Sequence, residues 1–290
     1  MKASNVRFLW RDPAAARYFG AGVCLHGHTM HSQECLSFLP RYLHQAPGIS
    51  HVVRRYEQPR AGTQPVVDFS RAYWTPPLSP ATALRVEREQ IENLGLLPLV
   101  SLNHPFWLGE GVKGIDHDRA LGRLLRECGG WIHALELNGT RSWKENGATM
   151  ALAGAYSRPV ISGGDRHACE PAACINLTNA RTFSNFVAEV RAGYSTVVFL
   201  PRYQEPMALR ILEASWDVLR PYPEYQGRER WIDRIYYRCE DGNARPLSVV
   251  WKDEVPWMLD GAKRVLELFA TTKLRSAIRL LPMQREEILP

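Results

Sequence analysis

Over its first 200 residues the chain alternates short apolar runs with longer segments of helical periodicity. The runs G-A-G-V-C-L-H-G-H-T (20–29), L-L-P-L-V-S-L-N-H-P (96–105) and W-I-H-A-L-E-L-N (131–138) predict buried strands. R-P-V-I-S-G-G-D (158–165) and V-V-F-L (197–200) predict two more. Between them, Ser79-Pro80 supplies an N-cap and a first-turn proline for a helix reaching about Leu94, where Gly95 stops it. Leu121, Leu124, Leu125 and Cys128 recur at helical spacing before Gly129-Gly130. A helical stretch spans 143–156, and Phe183, Phe186, Val187 and Val190 mark another that ends at Gly193. Strands alternating with helices predict an α/β fold with a mostly parallel sheet.

The pattern changes after Pro201. Residues 201–257 are rich in aromatics and prolines, and E-D-G-N at 240–243 predicts a turn. Leu259 to Leu281 has helical periodicity, with Arg264, Lys273, Arg275 and Arg279 on a face expected to be solvated. The expected organisation is a core over 1–200 with an extension over 201–290 packed on it. Residues 36–78 show little periodicity of either kind.

Composition narrows the class. At 45% hydrophobic and 23% charged, the chain is that of an ordinary globular protein. No apolar run approaches membrane-spanning length, and the N-terminus lacks the apolar stretch of a signal peptide. The cysteines at 24, 35, 128, 169, 174 and 239 form no C-x-x-C pair, so a reduced, cytoplasmic protein is expected. The net charge of +6 would suit a phosphate-bearing partner. The 36 Lys and Arg residues are nevertheless spread along the chain, and nucleic-acid binding is not expected.

The chemistry gathers where strands end. The first strand closes on His26 and His28, the second on Asn103 and His104. The third closes on Glu136 and Asn138, the fourth on Asp165 and His167. Residues i and i+2 of a strand share a face, and parallel α/β folds bind ligands at the carboxyl ends of their strands. Taken singly, each motif has a plainer reading: His104 before Pro105 as a core histidine, Asp165 after Gly163-Gly164 as a turn cap. Their joint occurrence points to a metal site of imidazole and carboxylate ligands for Zn, Mn or Fe.

In their order, L-H-G-H-T-M-H-S, N-H-P, A-L-E-L-N and G-G-D-R-H, these motifs resemble the PHP (polymerase and histidinol phosphatase) superfamily of metal-dependent phosphoesterases. The resemblance covers residues 20 to about 200. It implies a distorted (β/α)7 barrel in which His26, His28 and Asp165 hold one metal and His104 and His167 serve a neighbouring one. Glu136 matches a position often found behind the ligands, and His31 is a further candidate at the rim. Arg141 and Arg166, in or beside the strand-end loops, are candidates for binding a substrate phosphate.

The chain departs from that family in its middle. The usual T-D-H element, a metal-bridging Glu and a further His are missing, and P-L-V-S-L runs straight into N-H-P. Asp116-His117-Asp118 follows N-H-P and is expected to cap a helix rather than bind metal. With about five recognisable strands, the barrel is expected to be incomplete and its metal complement below the family's usual one. The expected activity is hydrolysis of a phosphorylated small molecule by metal-activated water. The alternatives are a degenerate, non-catalytic PHP-like module or a PHP-type nuclease.

Overall fold

The computed structural model describes residues 5–23, 42–44, 99–108, 113–163, 173–223, 226–239, 241 and 243–270. The helix expected over 79–94 lies outside the described residues. All five expected strands have a described segment: β2 (Ala21–Val23), β4 (Ser101–Leu102), β5 (Ala134–Leu137), β6 (Val160–Ser162) and β8 (Thr196–Phe199). Five more were not expected: β1 (Asn5–Phe8), β3 (Tyr42–His44), β7 (Cys174–Thr178), β9 (Ile235–Arg238) and β10 (Ala244–Pro246).

The strands form three sheets rather than one closed barrel among the described residues. β4, β5 and β6 make a parallel sheet, with Leu102 opposite Leu135 and Leu137 opposite Ser162. A second sheet has the order β1-β8-β7-β2. There β1 is parallel to β8, but β7 is antiparallel to both β8 and β2. The expectation of a mostly parallel sheet therefore holds in the first sheet and fails in the second. The cause is β7, which follows β6 without an expected helix and enters reversed. The third sheet, β10-β9-β3, is antiparallel, and the turn expected at 240–243 falls between β9 and β10, with 240 and 242 outside the described residues. Asp241 Oδ1 accepts from the Asn243 amide there at 2.9 Å.

Helices cover the strands as their periodicity requires. α1 (Gly114–Cys128) buries Leu125 and Cys128, and α2 (Trp143–Ala155) buries Ala153. Leu125 and Ala153 share a core with Val100, Leu135, Leu137, Val160, Val197 and Phe199. On the other strand faces, Phe186 and Val190 of α3 (Phe183–Arg191) pack with Val23, Ala134 and Ile161. Alternate residues of β5 and β6 thus serve different clusters, as a pleated strand dictates. Ser142 caps α2 with a reciprocal capping box to Glu145, and Thr182 caps α3. Cys128 and Cys174 are fully buried and not disulfide-bonded, and burial pushes the Cys128 thiol up from its ordinary range.

Two sequence expectations need correction. α1 begins at Gly114 with Lys113 in the N-cap position, so neither Asp116 nor Asp118 is the cap. Asp116 lies in the first turn and pairs with Arg119 at 3.3 Å, where a carboxylate still favours the helix dipole. The extension also contains a helix not expected, α4 (Met207–Leu219), besides short α5 (Leu247–Val250) and α6 (Trp257–Ala270). α6 supplies the described part of the helix expected over 259–281 and packs against α4. Its Arg264 is well exposed and pairs with Asp260 one turn away, in keeping with a solvated face. No described helix is long and apolar enough to cross a membrane.

Candidate functional site

Strand direction decides where the polar strand ends meet. β4, β5 and β6 are parallel, so their carboxyl ends lie at one side of the sheet. β6 also runs with β8. Ser195 Oγ, just before β8, donates to the Val160 carbonyl at 2.7 Å, and Ser162 Oγ donates to the carbonyl of Cys174 at 2.8 Å. Cys174 is the register partner of Phe199, at the far end of β8. β2, antiparallel to β7, runs with β8 as well. The four described strands that precede the strand-end motifs therefore run in a common direction.

His26, His28, His31, Asp165, Arg166 and His167 lie outside the described residues. Their stems are described up to Val23 and Gly163, three residues before His26 and two before Asp165. His104, Glu136 and Arg141 are described. Among the described residues, no three His, Cys, Asp or Glu side chains come together in a way that could hold a metal.

Glu136 is the best-defined member of the set. It is 1% exposed, and Asn138 Nδ2 donates to its Oε1 at 3.0 Å. Its carboxylate lies directly over Gly163, the first glycine of G-G-D-R-H: a Cβ built there would stand 2.1 Å from Glu136 Cδ. The amide of Gly163 donates to the Leu137 carbonyl at 3.4 Å, prolonging the β5–β6 ladder to this point. The strand expected over 158–165 thus needs a glycine at 163 for a steric reason, imposed by a carboxylate from the neighbouring strand.

His104 opens a tight turn in which its carbonyl accepts from the Trp107 amide at 3.0 Å. It has φ 28°, a conformation costly for any residue with a Cβ and more so before proline. The His104 ring meets Trp107 edge-on at 5.4 Å, and the Arg141 guanidinium lies 4.9 Å over the same indole. Trp107 thus joins the loop after β4 to the loop after β5. It sits three residues beyond His104, outside the N-H-P motif.

The loop after β5 is held from beneath. Asn146 of α2, 2% exposed, accepts from the Asn138 amide at 2.9 Å. Its Nδ2 donates to the Asn138 carbonyl at 2.9 Å and to Tyr203 Oη at 2.7 Å. Tyr203 Oη donates to the Arg141 carbonyl, and Arg210 of α4 donates to the carbonyls of Gly139 and Arg141. Arg210 also lies 4.2 Å over the Tyr203 ring. Part of the extension is therefore built into the support of this loop. Asn146→Ala is expected to cost about 3 kcal/mol, because it leaves three buried polar groups short of a partner. Urea unfolding checks this, and a loss below about 0.5 kcal/mol would mean the loop holds itself.

A cleft between Leu177–Thr178 and Ser195–Thr196, walled by Phe186 and Glu189, lies at the amino end of β8. This is the end of β8 opposite its carboxyl end, and Thr178 Oγ donates to Glu189 there at 2.5 Å.

No protein family, curated protein or solved structure matches this chain.

Proposed function

We propose that the chain is a metal-dependent phosphoesterase of PHP type, built on an incomplete form of that superfamily's barrel. The observation that carries this reading is the common direction of β2, β4, β5 and β6, whose continuations bear H-G-H, N-H-P, E-L-N and G-G-D-R-H. The donor set suits the group on chemical grounds: His26, His28, His104 and His167 offer imidazole nitrogen and Asp165 offers carboxylate oxygen, a mixture that Zn, Mn and Fe accept. A bound divalent metal would polarise the phosphoryl group and make water a nucleophile near neutral pH.

The chain's own residues have separable tasks. His26, His28 and Asp165 form one ligand set; His104 and His167 offer a weaker second one. Buried Glu136 would support this set, since its carboxylate packs over Gly163, two residues before Asp165 in the sequence. Arg141, anchored by its carbonyl and stacked on Trp107, presents a cation toward a phosphorylated small-molecule substrate. Arg166 is its counterpart in the loop after β6.

One observation favours a second reading, a non-catalytic PHP-like module: no T-D-H element or bridging carboxylate precedes N-H-P. A bridging carboxylate normally lets two cations sit about 3.5–4 Å apart. We accordingly expect one metal or less per chain and weak turnover of a phosphomonoester such as p-nitrophenyl phosphate, abolished by chelation. Elemental analysis and a turnover assay on the purified full chain test this together. Two or three tightly held metals would refute the single-site expectation, and metal-loaded protein without turnover would establish the non-catalytic reading. Retention of DNA or RNA in a gel shift would point to a nuclease instead.

A further inference from the structure

β2 and β6 lead to the two motifs on which the metal reading depends most, and among the described residues they belong to different sheets. A side chain of β7 bonds to both. Asn176, in the middle of β7 and 1% exposed, donates through Nδ2 to the Val23 carbonyl at 3.0 Å and to the Ser162 carbonyl at 2.6 Å. Its Oδ1 accepts from the Ser162 amide at 2.7 Å. The last described residue of β2 and the last residue of β6 are thus fastened to the same amide, three residues before His26 and three before Asp165.

Physical considerations make this amide hard to replace. Both carbonyls are strand-end acceptors in a buried place, where an unmade hydrogen bond is expensive. A planar amide with two N–H donors can donate to both carbonyls at once and still accept from the Ser162 amide, whereas a hydroxyl has a single donor. Ser162 Oγ adds a second tie to β7 through the Cys174 carbonyl, so β6 is held to β7 at two successive inward positions.

We propose that Asn176 is a positioning residue: it sets the spacing between the strand leading to His26 and His28 and the strand leading to Asp165 and His167, and so governs metal affinity without touching the metal. This rests on the metal-site reading above. Ligands from different strands must be held within a fraction of an ångström for tight binding, which loosely tethered strand ends do not achieve.

The test uses the full-length chain, freed of metal and titrated with Mn²⁺ alone, bound and free ion being separated by electron paramagnetic resonance. Asn176→Ala is compared with Leu209→Ala, which opens a cavity under α4, outside the β2–β7–β6 junction. Asn176→Ser, whose hydroxyl can reach only one strand, is the fallback if the alanine variant does not fold. The expected result is Mn²⁺ affinity at least tenfold weaker in the Asn176 variant, with an altered spectrum at saturation. Leu209→Ala, at an equal or larger loss of thermal midpoint, should change affinity less than twofold. Wild-type affinity in the Asn176 variants, or affinity that simply follows stability across both sites, overturns the proposal alone. Absence of Mn²⁺ binding by the wild type overturns the metal reading and this proposal with it.

Discussion

Gly163→Ala is expected to destabilise the chain by about 3 kcal/mol, a large effect for one methyl group. The new Cβ would stand 2.1 Å from Glu136 Cδ and 2.3 and 2.5 Å from its two oxygens. A carboxylate at the tip of a solvent-exposed side chain would swing away cheaply. Glu136 cannot, being 1% exposed and held by Asn138, so relief means breaking that bond or pushing β5 and β6 apart. Glu136→Asp withdraws the carboxylate by one methylene and should recover part of the loss. A double-mutant cycle measured by urea unfolding would then show coupling above about 1 kcal/mol. If the two substitutions add independently, the clash is relieved elsewhere and Gly163 is present for another reason.

This contact also shows what the sequence could and could not convey. All five apolar runs yielded strands, and the periodic segments ending at Gly129 and Gly193 yielded helices, because one continuous apolar pattern marks each. β7 escaped notice because C-I-N-L-T buries Asn176 and Thr178, and buried polar residues read as breaks in an apolar run. β1 escaped because four residues with a charge at Arg7 fall below any periodic signal. A reversed strand between two others cannot be inferred from composition, and β7 is what turns the expected parallel sheet into a mixed one. The motif residues themselves were legible, because a polar pair closing an apolar strand is a local signal. What supports them was not: Asn146, Asn176, Tyr203 and Arg210 act in part through bonds between residues far apart in sequence, 57 for Asn146–Tyr203 and 153 for Asn176–Val23.

The sharpest separation of roles is expected between two adjacent residues of the G-G-D-R-H segment. On the metal reading, Asp165 supplies anionic ligation, whereas Arg166 could act only on substrate charge. An amide at 165 keeps the shape but loses the charge, and a neutral oxygen is a much poorer ligand for Zn²⁺ or Mn²⁺. Substitutions behind a ligand already cost roughly 10–100-fold in metal affinity, so Asp165→Asn should exceed about 100-fold. Arg166→Ala should leave affinity unchanged and weaken only the handling of a phosphorylated substrate. Stability gives a second readout, since metal binding adds to folding free energy. At free metal about 100 times the wild-type Kd, the wild type and Arg166→Ala should each gain about 2.7 kcal/mol, and Asp165→Asn well under half of that. Equal metal retention and equal stabilisation in the two variants would remove Asp165 from the ligand set. The G-G-D motif would then be a turn, and His26 and His28 would need a different carboxylate partner.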